Sequence, residues 1–279
     1  MTGNELSPLL ADTEVHYLSS EHVGDELKIV IGHCGSSQGG ARVVFMGDAW
    51  ANFGTAVETI RFLQFTEDLP PLLVAAVGYR TVDMDEIESL RTRDFTPTAH
   101  PTRTTAGGAS QFLAFLRDEF KPWLQERYDA DTDDSMFFGD SLGGLFATYV
   151  LLNEPTTFRR YGIGSPALDW DDHLIFSHEA EYARTHDDLP AKAFFSVGAH
   201  ENTAGDEHRL AQLPPDRRGN AEPENYDYVA DTERMVATLR SRAYPSLGIE
   251  YELLPGEYHE TSPPLNLSRS LRYLFDAPR

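Results

Sequence analysis

The sequence predicts an α/β domain in which helices cover both faces of a mostly parallel central sheet. The first observation is a set of short apolar segments such as 71–79, where six apolar residues follow one another. Unbroken apolar runs of this length are typical of strands that are buried on both faces. The second observation is that these segments alternate with longer ones that carry apolar residues at helical spacing, such as 107–128.

The N-terminal half begins with two closely spaced strands, which we expect to form a hairpin. A short apolar run bounded by glycines then predicts a buried strand, and apolar side chains three and four positions apart predict the first helix. The predicted strands are 13–20, 26–35, 42–46 and 71–79, and the predicted helices are 51–64 and 107–128.

The C-terminal half continues the alternation of strands and helices. Its predicted strands are 135–139, 160–165, 193–198 and 249–254, and its predicted helices are 143–153, 231–243 and 267–275. We expect residues 1–279 to form a single domain, since one α/β sheet often uses a chain of this length. The segment 199–227 is polar and rich in Gly, Pro and charge, which predicts a long loop insertion.

The composition excludes some classes of protein. A total of 45 acidic residues against 23 Lys and Arg gives a formal net charge of −22, whereas a nucleic-acid-binding protein needs a basic face. No segment has the roughly 18 consecutive apolar residues of a membrane helix. Residues 1–12 lack a basic segment followed by an apolar run, and Cys34 is the single cysteine. We therefore expect no secretion signal, no membrane contact and a cytoplasmic location.

The pentapeptide Gly-Asp-Ser-Leu-Gly at 139–143 matches the G-x-S-x-G pattern of a nucleophile elbow. An apolar strand enters it and an apolar helix leaves it, as the motif requires. The turn is sharp, so small residues are needed two positions before and two after the serine, and the hydroxyl stands clear of the sheet. We therefore predict the α/β-hydrolase fold with Ser141 as nucleophile. The backbone N–H of Leu142, at the start of the helix, would stabilise an oxyanion.

A serine hydroxyl needs a general base within hydrogen-bond reach, and His259 is the predicted base. In this fold the acid and then the histidine follow the nucleophile along the chain. His259 comes after the last predicted strand, 249–254, and so would lie at the edge of the sheet where the elbow lies. The histidines between 173 and 186 belong to a polar helical segment and are expected at the surface.

The acid of the triad is expected after the preceding strand, 193–198. A carboxylate that is bonded to the second imidazole nitrogen fixes the tautomer and stabilises the imidazolium. Glu201 lies three residues past Gly198 and is our choice, with Asp206 as the alternative. The acidic residues after strand 160–165 also stay open, namely Asp169, Asp171 and Asp172.

Two weaker signals are set aside. Residues 200–208 contain two histidines and several carboxylates, but the H-E-x-x-H pattern of a zinc site is absent, so we expect neither a metal nor another cofactor. The glycine-rich segment 35–40 lacks the Lys-Ser/Thr ending of a phosphate-binding loop, and we expect a hairpin connection there.

Several motifs together resemble a known family. They include Arg-Thr-Arg-Asp-Phe-Thr-Pro at 91–97, Gly-Asp-Ser-Leu-Gly-Gly at 139–144 and Pro-Gly-Glu-Tyr-His at 255–259, with Ser165-Pro166 and Trp170 between them. The chain resembles an esterase family of the α/β-hydrolase superfamily, which includes enterochelin-type (siderophore trilactone) esterases and S-formylglutathione hydrolases. The resemblance extends over roughly residues 13–276 and is strongest to the siderophore-esterase branch. It implies the triad Ser141, Glu201 and His259.

The resemblance also implies a second oxyanion donor. Gly47-Asp48-Ala49-Trp50 is similar to the family's segment after the third strand, usually Asp-Gly-Asp/Glu-Ala-Trp. One residue is missing here, because Met46 stands directly before Gly47. The backbone N–H of Ala49 or Trp50 would then be the donor.

The predicted function is hydrolysis of a small-molecule carboxylic ester through an acyl-enzyme. Acyl transfer or lactone formation by the same triad is one alternative, which exclusion of water by the 199–227 segment would favour. A non-catalytic binding protein on a hydrolase scaffold is the other, which degraded triad positions would indicate.

The resemblance implies a siderophore trilactone as the substrate. A ferric catecholate is anionic, so Arg91 and Arg93, together with Arg103, are candidate substrate-binding residues. Their alternative interpretation is surface charge that pairs with carboxylates, such as Arg91 with Asp94.

Overall fold

The computed structural model describes residues 10–35, 40–66, 69–214 and 225–276. The strands are β1 (Thr13–Ser20), β2 (Asp25–Cys34), β3 (Arg42–Met46), β4 (Leu72–Gly78), β5 (Asp131–Asp140), β6 (Arg160–Gly164), β7 (Lys192–Gly198) and β8 (Gly248–Leu254). The helices are α1 (Ala49–Phe65), α2 (Met84–Phe95), α3 (Ala109–Phe115), α4 (Lys121–Tyr128), α5 (Leu142–Asn153), α6 (Trp170–His173), α7 (Ile175–Thr185), α8 (Thr203–Gln212), α9 (Tyr228–Ser241) and α10 (Pro263–Leu274). A π-helical turn, Leu116–Phe120, joins α3 to α4.

The strands form one sheet in the order β1-β2-β4-β3-β5-β6-β7-β8. The predicted hairpin is present, since β1 pairs antiparallel with β2 and Ser20 lies opposite Asp25. β2 is also antiparallel to β4, and all the remaining pairs are parallel. The predicted α/β domain with a mostly parallel sheet is therefore confirmed.

Helices cover both faces of the sheet. Successive strand residues point to opposite faces, so each strand contributes side chains to two cores. In β3, Val43 and Phe45 join the core on one face, whereas Val44 and Met46 join the core on the other. The larger core contains buried residues of α2 to α5, α7 and α9, and the smaller one contains those of α1 and α10. This arrangement explains why most strand residues between 42 and 198 are apolar.

The parallel strands end at one edge of the sheet, so the segments that follow them lie near one another. β3 leads into the turn at 47–48, β5 into Ser141, β7 into Glu201 and β8 into the segment with His259. Active sites of open α/β sheets form at the carboxyl ends of the strands. The topology therefore brings the predicted site residues to a common edge.

Two expectations about connections need correction. The segment 199–227 is not a loop throughout, because it contains α8, and a β-bridge joins Asn202 to Asp227 near its ends. The segment 35–40 cannot be a hairpin connection, since β4 lies between β2 and β3 in the sheet. Residues 36–39 and 215–224 of these segments lie outside the described residues. None of the helices in the described ranges is long and apolar enough to cross a membrane.

Candidate active site

Ser141 occupies the turn between β5 and α5, with φ 58° and ψ −120°. Non-glycine residues rarely adopt this conformation, and it marks strain that the surroundings must hold in place. A Cβ built on Gly139 would lie 2.2 Å from the carbonyl oxygen of Gly143, and one on Gly144 would lie 2.6 Å from that of Gly164. Glycine at 139 and 144 therefore allows the close approach on which the elbow depends.

Backbone hydrogen bonds fasten the elbow to the neighbouring strand. The N–H of Ser141 donates to the carbonyl of Gly164 at 3.1 Å. The carbonyl of Ser141 accepts from the N–H of Ala167 at 3.1 Å, in addition to the helical bond from Leu145. These bonds fix the direction of the Ser141 side chain, which is partly exposed.

His259 and Glu201 lie together at the same edge of the sheet. His259 Nδ1 is 2.7 Å from Glu201 Oε2. Glu201 is fully buried, and its Oε1 accepts from the N–H of Gly198 and from the hydroxyl of Ser165, both at 2.7 Å. Three donors thus surround the carboxylate, which is how a buried charge is tolerated.

The alternative acids have other partners. Asp206 lies on α8 and accepts from Arg209 Nη2 at 3.2 Å. Asp171 Oδ2 accepts from the hydroxyl of Thr98 at 2.7 Å. In the described part of the chain, the carboxylate that is hydrogen-bonded to His259 belongs to Glu201.

The surroundings of His259 favour the imidazolium. Burial lowers the pKa of His259, but the hydrogen bond and negative charge of Glu201 outweigh that effect and raise the pKa above its ordinary value. The ring of Tyr228 packs edge-on against it, with centroids 5.4 Å apart. Among the described residues no hydrogen bond joins Ser141 Oγ to the His259 ring, and such bonds often tighten only when substrate binds.

The first turn of α1 offers backbone donors. Asp48 directly precedes the helix in a left-handed conformation, with φ 51° and ψ 45°, and its side chain does not cap the helix. Its carbonyl accepts from the N–H groups of Ala51 and Asn52. Ala49 and Trp50 come before Ala51 in the helix, and the first N–H groups of a helix have no partner within it.

The N-termini of α1 and α5 lie next to each other. A Cβ built on Gly143 would be 3.7 Å from Asp48 Oδ2, so the turn before α1 borders the first residues of α5. Leu142 is the first residue of α5, and the first N–H groups of a helix have no partner within it. The structure therefore brings Leu142 near the turn that carries Ala49 and Trp50, and two helix dipoles favour negative charge there.

Arg91 contacts this turn. Its Nε donates to Asp48 Oδ1 at 2.6 Å and its Nη2 to Asp48 Oδ2 at 3.0 Å, while Nη1 donates to Glu88 at 2.7 Å. Only 13% of the Arg91 side chain and 6% of the Asp48 side chain are exposed. These contacts favour the pairing interpretation over a substrate contact, although the partner is Asp48 and not Asp94.

Arg93 is paired as well. Its Nε and Nη2 donate to Asp94 at 2.7 and 3.1 Å, and its Nη1 donates to Asp25 at 2.9 Å. Asp94 is almost fully buried and also accepts from the hydroxyl of Tyr79. Arg103 is held less tightly, since half of its side chain is exposed, its Nη1 lies 3.6 Å from Glu88 Oε1 and its guanidinium lies over the ring of Trp170.

A buried polar cluster next to Glu201 was not predicted from the sequence. The side chain of Asn266, on α10, donates to Asp140 Oδ1 at 2.7 Å and to Ser165 Oγ at 3.1 Å. Burial raises the pKa of Asp140 to about 7, and the Asn266 hydrogen bond only partly offsets this effect. Ser165-Pro166 was visible as a family motif, but no signal in the sequence singled out Asn266.

In the described ranges no group of three or more His, Cys, Asp or Glu side chains is arranged to hold a metal ion. The ring of His200 instead stacks on Tyr258, with centroids 4.8 Å apart, and His208 stacks beside it.

Comparisons with known proteins agree with this architecture. The chain is 33% identical to the ferri-bacillibactin esterase BesA of Bacillus subtilis over 178 residues, which are 58% of this chain and 61% of that protein. It is 26% identical to the siderophore triacetylfusarinine C esterase of Aspergillus fumigatus, over 86% of this chain and 84% of that protein. The crystal structure of the BES protein from Bacillus cereus superimposes with a TM-score of 0.80 at 23% identity, covering 98% of both chains.

The family match spans most of the chain. The match to BesA covers less than two thirds of that protein's length, and the structural likeness to the BES protein shows the shared α/β-hydrolase fold alone. The model of the family described as "Putative esterase" matches residues 20–229, which include Ser141 and Glu201 and end before His259. The chain therefore belongs to this esterase family.

Proposed function

We propose that the protein is a serine carboxylic-ester hydrolase with Ser141 as nucleophile, His259 as general base and Glu201 as the triad acid. The observation that carries the proposal is the strained Ser141 turn at the same sheet edge as the 2.7 Å hydrogen bond between His259 and Glu201. Membership of an esterase family supports the same reaction. The proposed steps need no cofactor.

In the acylation step the Ser141 hydroxyl attacks the ester carbonyl while His259 Nε2 takes its proton. Glu201 holds the ring through Nδ1 and stabilises the imidazolium that forms. The oxyanion receives hydrogen bonds from the N–H of Leu142 and from that of Ala49 or Trp50. His259 then returns the proton to the leaving alcohol, and the acyl group stays on Ser141.

In the deacylation step water takes the place of the alcohol. His259 removes a proton from the water as it attacks the acyl carbonyl, and the same N–H groups stabilise the second oxyanion. Collapse of this intermediate releases the carboxylic acid, and the proton returns to Ser141.

We propose siderophore-type esters as the substrate class. The support is that curated relatives from Bacillus subtilis and Aspergillus fumigatus are named as esterases of two different siderophores. An anionic iron-binding group would need positive charge at the cleft. Arg103 offers such a charge more readily than Arg91 or Arg93, because its half-exposed side chain makes only a long, 3.6 Å ion pair with Glu88, whereas Arg91 and Arg93 donate to buried carboxylates.

We propose the cytoplasm as the location of the protein. The support is Cys34, the single cysteine, which is buried as a free thiol in the smaller core. Free thiols persist in reducing compartments.

A hydrolysis panel tests the proposed function. It compares a tricatecholate trilactone with and without Fe³⁺, the corresponding linear ester and neutral short-chain esters, on wild type and on Ser141→Ala. We expect wild type to open the lactone and the variant to lose hydrolysis of every ester that wild type cleaves. Hydrolysis of neutral esters alone would reject the siderophore class, and no hydrolysis of any ester would reject the esterase. Products of transfer to an added alcohol or amine at the expense of acid would favour the acyltransferase alternative.

A further inference from the structure

Ser165 contacts the carboxylate oxygen of Glu201 that His259 leaves free. Its hydroxyl is 2.7 Å from Glu201 Oε1, whereas His259 Nδ1 is 2.7 Å from Oε2. Ser165 is 1% exposed and Glu201 is 0% exposed, so no solvent can replace this hydrogen bond. The two side chains belong to the ends of neighbouring strands, β6 and β7.

Two oxygens could accept the hydroxyl proton of Ser165, one on Glu201 and one on Ser262. Asn266 Nδ2, which can only donate, lies 3.1 Å from Ser165 Oγ and so occupies one of its lone pairs. The hydroxyl of Ser262 is 3.0 Å away on another side. A carboxylate oxygen accepts, and at 2.7 Å it is the nearer of the two, so the Ser165 proton points to Glu201.

Asn266 is itself oriented by its neighbours. The amide atom that faces Asp140 Oδ1 is the nitrogen, because that carboxyl oxygen accepts, so Asn266 Oδ1 accepts from the hydroxyl of Ser196 at 2.7 Å. That nitrogen donates to Asp140 Oδ1 at 2.7 Å and to Ser165. The donors therefore run in one direction, from Ser196 through Asn266 and Ser165 to Glu201.

The backbone of Ser165 is held in a costly conformation. Its φ is 39°, in the left-handed region that favours glycine, and its N–H donates to the carbonyl of Ser196 at 2.7 Å. Non-glycine residues keep such a conformation only where the surroundings over-determine it, most often at functional sites. Glycine would relieve this strain but would remove the hydroxyl.

We propose that Ser165 is a positioning residue that fixes the Glu201 carboxylate in the plane of its hydrogen bond to His259. The inference rests on the proposed roles of Glu201 and His259. Without the Ser165 hydroxyl, Oε1 keeps the Gly198 N–H alone, and the carboxylate can rotate away from Nδ1. The imidazolium of each proton-transfer step is then less well stabilised, while binding of the ester is unaffected.

Two substitutions at Ser165 and one matched control test the proposal. Ser165→Ala removes the hydroxyl, and Ser165→Gly removes it while relieving the positive φ, so a folding defect in the first is separated from loss of the hydrogen bond. Ser270→Ala removes an equally buried hydroxyl on α10 that makes no hydrogen bond to Glu201, His259 or Ser165. Thermal melting of all the variants reports on folding.

Both Ser165 variants should lower kcat for a neutral ester by about tenfold to a hundredfold, with KM within about twofold of wild type. The ¹H NMR resonance of the His259 Nδ1 proton, which lies at low field when bonded to Glu201, should shift or broaden in both variants. Ser270→Ala should keep kcat within about threefold of wild type and keep the resonance.

A folded Ser165→Gly with the kcat and the Nδ1 resonance of wild type would overturn the proposal, as would equal losses in Ser165→Gly and Ser270→Ala. Glu201→Gln separates this failure from failure of the triad. If Glu201→Gln retains wild-type kcat, the acid assignment and the role of Ser165 are both wrong. If Glu201→Gln is impaired while Ser165→Gly is not, only the role of Ser165 is wrong.

Discussion

Arg91 donates two hydrogen bonds to the carboxylate of Asp48, across 43 residues of sequence. Asp48 has a left-handed backbone, lies directly before Ala49 and borders the first turn of α5. A two-point ion pair of this kind fixes direction as well as distance. We infer that Arg91 holds the turn that carries the proposed second oxyanion donor.

Arg91→Lys should therefore lower kcat by about tenfold with little change in KM for a neutral ester. Lysine keeps the positive charge but cannot donate to both carboxylate oxygens in one plane, so the turn is less well held. Steady-state kinetics on a short-chain ester check this, with Arg184→Lys, an exposed pair with Glu181 on α7, as control. An unchanged kcat in Arg91→Lys would show that the Arg91–Asp48 ion pair has no role in catalysis.

Arg93→Ala should destabilise the protein instead of weakening substrate binding. The substitution leaves the buried carboxylate of Asp94 without its cation, and such breaks cost about 3–5 kcal/mol. Urea unfolding measures the loss, and adding Asp94→Asn to the variant should recover part of it. KM for an anionic and for a neutral ester should change together. A selective rise of KM for the anionic ester would show that Arg93 contacts substrate.

The acid limb of kcat/KM should lie above about pH 6.5, where an ordinary imidazole titrates. Burial lowers the pKa of His259, but the opposing effect of Glu201 is larger, so the pKa is raised overall. His259 can act as the proposed base only when it is neutral, so activity should rise as the pH passes this raised pKa. Glu201→Gln removes the negative charge and should move the limb to lower pH while reducing kcat less than His259→Ala does. Asp206→Asn should leave the profile unchanged. The opposite pattern would move the acid to Asp206.

Asp140 should make the protein less stable as the pH rises from about 4 to about 7. Burial raises its pKa from 3.8 to about 7, so in this range the folded protein keeps a proton that the unfolded chain has released. The free energy of unfolding then falls by up to about 4 kcal/mol across the range. Asp140→Asn cannot ionise and should remove this slope.

Urea unfolding at about pH 5 and about pH 8 measures the Asp140 effect. Asp187→Asn, a substitution at an exposed carboxylate, is the control and should keep the wild-type slope. An unchanged slope in Asp140→Asn would mean that the buried carboxylate is already ionised at low pH.

The sequence predicted those elements whose apolar pattern is local. The limits of β1 and β3 match the predicted 13–20 and 42–46, and the α/β class followed from the alternation of elements. α2 was missed because its buried face includes Thr92 and Asp94 beside Ile87 and Phe95, which hides the apolar periodicity. Burial of Asp94 depends on its partners Tyr79 and Arg93, a tertiary effect.

Within the candidate site, the G-x-S-x-G motif predicted Ser141, and chain order with strand ends predicted His259 and favoured Glu201 among several acids. The contacts of Arg91 and the cluster around Ser165 could not be predicted in the same way. Asp48 is 43 residues from Arg91, and Asn266 is 101 residues from Ser165. Such pairs leave no periodic signal in a single sequence, and only the sheet topology brings them together.

The most direct test of the account is the site at which a serine-directed phosphonate reacts. The phosphorus is attacked by the activated hydroxyl, so the adduct marks the nucleophile itself. Peptide mass spectrometry should find one phosphonate per chain, on Ser141, with concurrent loss of ester hydrolysis. Ser141→Ala should take up none and His259→Ala should react far more slowly. An adduct on another residue, or more than about a tenth of wild-type turnover in a folded Ser141→Ala, would contradict the account.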